Sequence, residues 1–413
     1  MRVLLLNDNS AHTNWGAQAT PHAINELFAA ELPGSERRWL SWDWLRSRHR
    51  RLKPPLPGRL VEGDRWRLLR PMLWRLSREV EFFPVVADDF DRFADEWVAG
   101  SGGPMAERFL REVEWCDVIV YNGENSLYRN TREGSRALFL LWLSRTRLGK
   151  PTCIINHTAH LTGVLPLMNA MVRKVYPRLD LATCREAASW RNLRQAGIDN
   201  IELVPDVVFY LREDPAATAR VNSWLAGQRL EPGRYVCMSA SGLRVSKPRG
   251  AWDGWYAALV RAVQRRAGLP VVLMAKDQHC QFLRDVAQRT GVVFFGAEHH
   301  FSELWPLLRQ AAALVTGHFH YAIIAAIGGC PYVAMSANNH KIAGLNEMLQ
   351  WEPIEPFDVT DLACCGEAVA ECLAGRLANR AALSAHLVAR VAALREQIED
   401  LPRRIKALAG RRP

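Results

Sequence analysis

Two histidines, His318 and His320, stand two residues apart just after the apolar run 313–316 and the turn residue Gly317. A strand that turns into a helix there presents unpaired backbone N–H groups, and a histidine within the turn can donate to an anion or to carbon. Other predicted strand ends carry residues of similar potential. Glu124 follows the run 117–121 and the turn Asn122-Gly123. A carboxylate in that place serves as a general base or hydroxyl clamp, or else caps the next helix. Arg185 follows the run 181–184, where a guanidinium can fork onto a carboxylate or phosphate. Asn14 and Gly16 follow the first strand, and a glycine at a helix start lets the backbone approach an anionic ligand. Asp206, after Pro205, reads as a pin for the turn between two halves of the chain.

These positions recur because strands and helices alternate along the chain. In the first half, strands are predicted at 3–7, 117–121, 151–156, 181–184 and 201–204, with helices at 17–32, 134–148, 164–176 and 186–196. After Asp206 the pattern loosens through 230–233. It then resumes with strands at 235–239, 270–274, 292–295, 313–316 and 332–335, and helices starting near Trp252, Gln278, Ser302 and Tyr321. The tail 362–408 has Ala and Leu at helical spacing, with Arg and Glu on the other face. The expectation is α/β: two Rossmann-like domains, 1–230 and 231–413, in a GT-B-like arrangement with a helical C-terminal tail. Open parallel sheets hold ligands at the carboxyl ends of their strands, so the site belongs in a cleft between the halves.

Composition sets further bounds. Apolar residues make up 49% and charged residues 23%, as in an ordinary globular protein. No apolar run reaches transmembrane length. The N-terminus is apolar for only a few residues and lacks a cleavage site, so the expected location is the cytoplasm. The cysteines number nine, an odd count with no Cys-x-x-Cys pair, and read as reduced core thiols. Twelve scattered histidines show no zinc spacing, so no metal is expected. The net charge of +10 is concentrated in an apparent insertion at about 37–100. Its segment 37–78 holds thirteen Lys/Arg against three acids, together with Trp39, Trp42, Trp44, Trp66 and Trp74. Three readings stand: arginine-rich packing with Trp as core, contact with an anionic membrane surface or lipid-linked acceptor, and nucleic-acid binding. The last has no recognisable nucleic-acid-binding pattern beside it.

Four pieces in order carry a resemblance over roughly residues 3–350. They are Asn14-Trp15-Gly16; Asn122-Gly123-Glu124; Arg185-Glu186 with Ser189, Gly197-Ile198 and Pro205-Asp206; and Gly317-His318-Phe319-His320 with Pro331, Lys341 and Gly344. Together they resemble the polysaccharide pyruvyl transferase family. The sequence departs from the family at Ala17, where many members have Asp, and at His318, where the pattern has Arg. The resemblance implies transfer of a pyruvyl group from phosphoenolpyruvate to two hydroxyls of a sugar, forming a ketal and releasing phosphate, with no cofactor. Such chemistry assigns His320 as the acid that protonates the methylene carbon. Arg185, Lys341 and the loop 241–247, with Arg244 and Lys247, become the clamp for carboxylate and phosphate. The implied acceptor is a sugar or lipid-linked oligosaccharide, which would bring the enzyme to the inner face of the cytoplasmic membrane. The two departures keep open a GT-B glycosyltransferase using a nucleotide-activated sugar such as a CMP-sugar, and a non-catalytic glycan-assembly module.

Overall fold

The computed structural model describes residues 1–41, 44, 83–127, 131–161, 166–241, 249–275, 280–337, 339–359 and 362–410. Its first half is a six-stranded parallel sheet of β1 (Arg2–Asp8), β2 (Glu36–Ser41), β3 (Val118–Leu127), β4 (Thr152–Ala159), β5 (Leu181–Cys184) and β6 (Ile201–Leu203). Their order is β2-β1-β3-β4-β5-β6. The second half is a five-stranded parallel sheet of β7 (Val236–Ser241), β8 (Val271–Met274), β9 (Val293–Phe295), β10 (Ala313–Gly317) and β11 (Tyr332–Ala334), ordered β11-β10-β7-β8-β9. Apolar runs such as Val3–Leu6 and the whole of β4 are buried on both faces, which is why they read as continuous rather than alternating.

Helices cover both sheets: α1 (Trp15–Glu31), α2 (Phe90–Val98), α3 (Gly103–Trp115), α4 (Arg132–Thr146), α5 (Pro166–Val175), α6 (Ala187–Gln195) and α7 (Pro215–Gly227) in the first half. The second half has α8 (Arg249–Ala267), α9 (Cys280–Thr290), α10 (Leu304–Arg309), α11 (Phe319–Ile327) and α12 (Lys341–Leu349). The tail forms α13 (Leu362–Ala378), α14 (Arg380–Glu399) and α15 (Leu401–Ala409). In each sheet the strand order reverses once, between β1 and β3 and between β7 and β10. Those are the crevices where doubly wound sheets take ligands.

One apolar core joins the halves. Leu5, Phe28 and Val120 belong to the same buried cluster as Cys237, Leu314 and Ile324. Trp15 donates Nε1–H to the carbonyl of His299 at 3.1 Å and packs its ring on Phe295 and Tyr321. The tail then crosses back: Arg395 on α14 donates to the carbonyls of Phe209 and Leu211, and Arg403 and Arg404 on α15 pair with Glu31 and Glu202.

Both ends of the segment 37–100 pack into the first half. Its start lies in β2, paired in register along β1. Its end supplies α2, with Phe83, Phe90, Phe93 and Trp97 buried in the core of the first half. Trp44 is buried against Phe109, and half-buried Trp39 donates to Asn25 at 3.1 Å. Trp42, Trp66 and Trp74 lie outside the described residues.

Candidate active site

Gly16 and His320 meet where the two sheets face each other. The side chain of Asn14 caps α1 and accepts from the N–H groups of Gly16 (2.8 Å) and Ala17 (3.2 Å). Those amides are engaged by the helix's own cap, and the missing side chain of Gly16 provides space. A β-carbon on Gly16 would stand 2.7 Å from Cβ and 2.8 Å from Cγ of His320, and closer still to Nδ1.

His320, in the first turn of α11, reaches from the second half into the first. Its Nε2 lies 3.2 Å from Arg185 Nη1 and 3.5 Å from Asp206 Oδ2. Arg185 is buried at the end of β5, donating from Nε to Thr158 (2.9 Å) and from Nη1 to Asp206 (2.9 Å), with its plane over the Phe319 ring. Among the described residues its Nη2 makes no hydrogen bond, which leaves one edge of the fork for a ligand. Asp206 is fully buried. Burial opposes its charge, yet Arg185 and His320 beside it and the Val208 N–H (2.9 Å) hold the carboxyl below its ordinary range. The residue expected as a pin does cap the turn Val207–Tyr210, and it also carries the counter-charge of the site. Arg185 can only donate, so Nε2 either accepts from Nη1 or carries a proton facing Asp206, and not both at once.

Glu124 sits in the last part of β3, three residues before Leu127, with φ +41°, a left-handed conformation costly for a side chain of this size. Its Oε1 accepts from Thr20 at 2.5 Å. Oε2 makes no hydrogen bond among the described residues, as a base awaiting a proton requires. Beneath it runs a buried ladder of asparagines at the strand ends. Asn7 donates to the carbonyl of Asn122 (2.6 Å), Asn156 to the side chain of Asn122 (3.3 Å), and Asn156 accepts from Val207 N–H (3.1 Å). Asn7 and Asn156 also have positive φ, at 76° and 57°. The ladder therefore ties the Glu124 turn to the segment carrying Asp206.

Lys341 starts α12. Burial, and then the charge of Arg185, push its ammonium down to about 8, against the pull of Glu124, Glu186 and Asp206. Its Nζ makes no hydrogen bond among the described residues. It is thus the cation of the site whose charge is least committed. His318 is placed differently from His320: its Nδ1 meets Ser239 Oγ at 3.1 Å and its ring stacks on Tyr321, both in the second half. Gly317 serves packing, since a β-carbon would lie 2.5 Å from the Cα of Ser241 on β7. Arg244 and Lys247 fall outside the described residues. His157 is a core residue: it sits between the carbonyl of Thr183 (2.6 Å) and the hydroxyl of Tyr176 (2.8 Å), and burial takes it down to about 3.

The model of the polysaccharide pyruvyl transferase family matches residues 14–339, a span that includes every residue of this arrangement except Asn7 and Lys341. The chain belongs to that family. Family membership makes it a glycan-modifying transferase. No curated protein matches the sequence. Solved structures with the same outline include a UDP-N-acetylglucosamine 2-epimerase from Rickettsia bellii (9% identity, TM-score 0.51, 97% of each chain). Another is UGT89C1 from Arabidopsis thaliana complexed with quercetin (10% identity, TM-score 0.55, 98% of this chain and 99% of that one). A third is Os79 from O. sativa in complex with UDP (10% identity, TM-score 0.52, 98% and 100%). At such identities the likeness establishes the GT-B fold alone. Among the described residues no helix is long and apolar enough to cross a membrane, and no group of three or more His, Cys, Asp or Glu could hold a metal.

Proposed function

We propose that the family member described here transfers a pyruvyl group from phosphoenolpyruvate to two hydroxyls of a sugar in a cell-surface glycan, at the cytoplasmic side of the membrane. The supporting observation is the position of His320 Nε2, 3.2 Å from Arg185 and 3.5 Å from Asp206, at the crevice where both sheets reverse order. Lys341 and the open edge of Arg185 face a donor bearing carboxylate and phosphate. His320 supplies the proton that converts the enol methylene to a methyl group. Glu124, through Oε2, accepts the proton of the attacking hydroxyl. A positioned acid of this kind contributes about 10²–10⁴-fold to the rate.

A nucleotide-sugar donor is the competing reading, and His318 favours it: the guanidinium of the family pattern is replaced by a ring held on Ser239 and Tyr321. Thermal-shift titration separates the two, because only a true ligand raises the midpoint by mass action. Phosphoenolpyruvate should raise it and CMP- or UDP-sugars should not. The reverse pattern overturns the pyruvyl reading. A protein indifferent to both classes would instead act as a binding module.

A further inference from the structure

Beside the acid and its clamp lies a second chain of polar side chains that neither role uses. Glu186, fully buried, caps α6 by accepting from Ser189 N–H at 2.8 Å. The Ser189 hydroxyl contacts the same carboxylate in a short hydrogen bond. Ser189 Oγ also lies 3.2 Å from His340 Nε2, and His340 Nδ1 lies 3.0 Å from His160 Nδ1. His160 belongs to the segment after β4 in the first half, and His340 to the segment before α12 in the second. The chain therefore bridges the two halves. Gly344 leaves room for it, since a β-carbon there would stand 2.6 Å from Glu186 Oε2.

The protons in this chain are determined by counting. A serine has one hydrogen; the Ala159 carbonyl at 3.1 Å competes for it, but the nearest and most basic acceptor is Glu186, while the Ala159 N–H donates to Oγ at 2.9 Å. Ser189 Oγ can therefore only accept from His340, which places a hydrogen on His340 Nε2. With both rings neutral, His340 Nδ1 is then a bare lone pair, and the hydrogen between the two rings sits on His160 Nδ1. What remains is Nε2 of His160, unprotonated and without a hydrogen-bond partner among the described residues. Burial acts to keep His160 neutral, against the pull of Glu186. In the register of β3 and β4, Glu124 lies opposite His157 and Leu127 opposite Ala159, so His160 follows one step beyond the paired rows that include Glu124.

We infer that Glu186, Ser189 and His340 lock His160 as a second general base, whose Nε2 takes the proton of an acceptor hydroxyl. The inference rests on the pyruvyl-transfer reading, because a ketal consumes two hydroxyls and each must lose a proton. The first hydroxyl adds to the donor's central carbon as the methylene carbon gains a proton from His320. Its own proton passes to Glu124. The second hydroxyl then forms the remaining C–O bond while the C–O bond to phosphate breaks. Its proton goes to His160 Nε2 and leaves with the phosphate. Glu124 then releases its proton to solvent and His320 takes one up, so that in net one hydroxyl proton ends on the methyl carbon and the other on phosphate. The imidazolium formed at His160 is stabilised through His340 toward Glu186. His160 touches the acceptor; His340, Ser189 and Glu186 are positioning residues.

The test has two readouts. Long-range ¹⁵N–¹H spectra of histidine-labelled protein, assigned by loss of signals in His160→Gln and His340→Gln, should show His160 protonated at Nδ1 and His340 at Nε2. Ser189→Ala should release that preference. A His160 protonated at Nε2 in the wild type overturns the relay whatever the donor is. Turnover with phosphoenolpyruvate and methyl glycosides carrying two neighbouring free hydroxyls is the second readout. His160→Gln should lower kcat by about 10²-fold or more, with unchanged donor affinity and thermal midpoint. Quenched samples should contain an adduct with the summed mass of acceptor and donor. Near-normal kcat, or a loss explained by weakened donor binding, overturns the proposal. Absence of phosphate release by the wild type would defeat the pyruvyl reading, and the tautomer spectra would still decide the relay.

Discussion

Gly16 of the first half lies directly on the imidazole of His320 of the second, so close that no side chain larger than hydrogen fits between them. Gly16→Ala separates catalysis from stability, because alanine in a first helical turn would otherwise gain up to about 1 kcal/mol over glycine. The ring of His320 must move away from Arg185 and Asp206 to admit the methyl group. Turnover should fall at least about tenfold while the thermal midpoint stays near that of the wild type. A fully active variant would show that the ring does not work from this position.

The buried pair of Arg185 and Asp206 makes a different prediction. Asp206→Asn leaves the guanidinium without its counter-charge in the interior, a loss of about 3–5 kcal/mol in a denaturant titration. The pH dependence follows from the lowered carboxyl. Its stabilisation is complete above the unfolded carboxylate range and is lost as pH falls through the folded value. Wild type and variant should therefore differ by a constant amount at neutral pH and converge only below about pH 4.

Lys341 titrates near the working range. Its ammonium, pushed down to about 8 from 10.5, loses its charge in the free protein as pH rises past that value. Donor affinity measured by calorimetry should therefore weaken above pH 8, and Lys341→Arg should carry the decline to higher pH. Stability moves oppositely. The unfolded lysine holds its proton up to 10.5, so stability rises between pH 8 and 10.5 as the cost of a buried charge is relieved. Donor affinity that is flat across this interval would remove Lys341 from the clamp.

His318→Arg restores the guanidinium of the family pattern. The new side chain must displace a ring that now rests on Tyr321 and Ser239. For a pyruvyl transferase, the variant should bind phosphoenolpyruvate more tightly, since arginine offers two parallel hydrogen bonds to a carboxylate. For an enzyme fitted to a nucleotide sugar, the same change should lower activity. Titration of both donors against both proteins tells them apart.

The basic segment 37–78 carries the membrane-surface expectation. Flotation with anionic liposomes should show binding at low salt that weakens as salt rises, at ~1 kcal/mol per cation near the surface. Replacement of Arg46, Arg48, Arg50 and Arg51 by Glu is the suitable control. Trp44 is a core residue against Phe109, and its loss would unsettle the fold instead. Protein that stays with the soluble fraction even at low salt refutes membrane contact.

Much of the fold was legible because parallel strands buried on both faces announce themselves as short apolar runs. Those at 181–184, 271–274 and 313–317 needed no other signal. Strand β2 was hidden, since Glu-Arg-Arg-Trp-Leu-Ser at a half-exposed sheet edge looks like part of the basic insertion. Helix α12 was also missed, being short and opening on a lysine. Within the site, Arg185, Glu124 and His320 could be read from their places at strand ends. The contact of His160 with His340 could not: the two are 180 residues apart, and neither stands in a pattern that points to the other. The contact of Gly16 with His320 was unreadable for the same reason, since glycine records an absence and not the neighbour that requires it.

The return of α14 and α15 to the first half bears on how this molecule can be rebuilt. A chimera that exchanged halves with another GT-B protein at the linker near 230 would carry away Arg395, which holds the carbonyls of Phe209 and Leu211. The natural unit of exchange is therefore discontinuous: the first sheet travels with the last thirty or so residues of the chain. A graft that respects this would keep the scaffold of Asp206 intact while the second sheet is replaced.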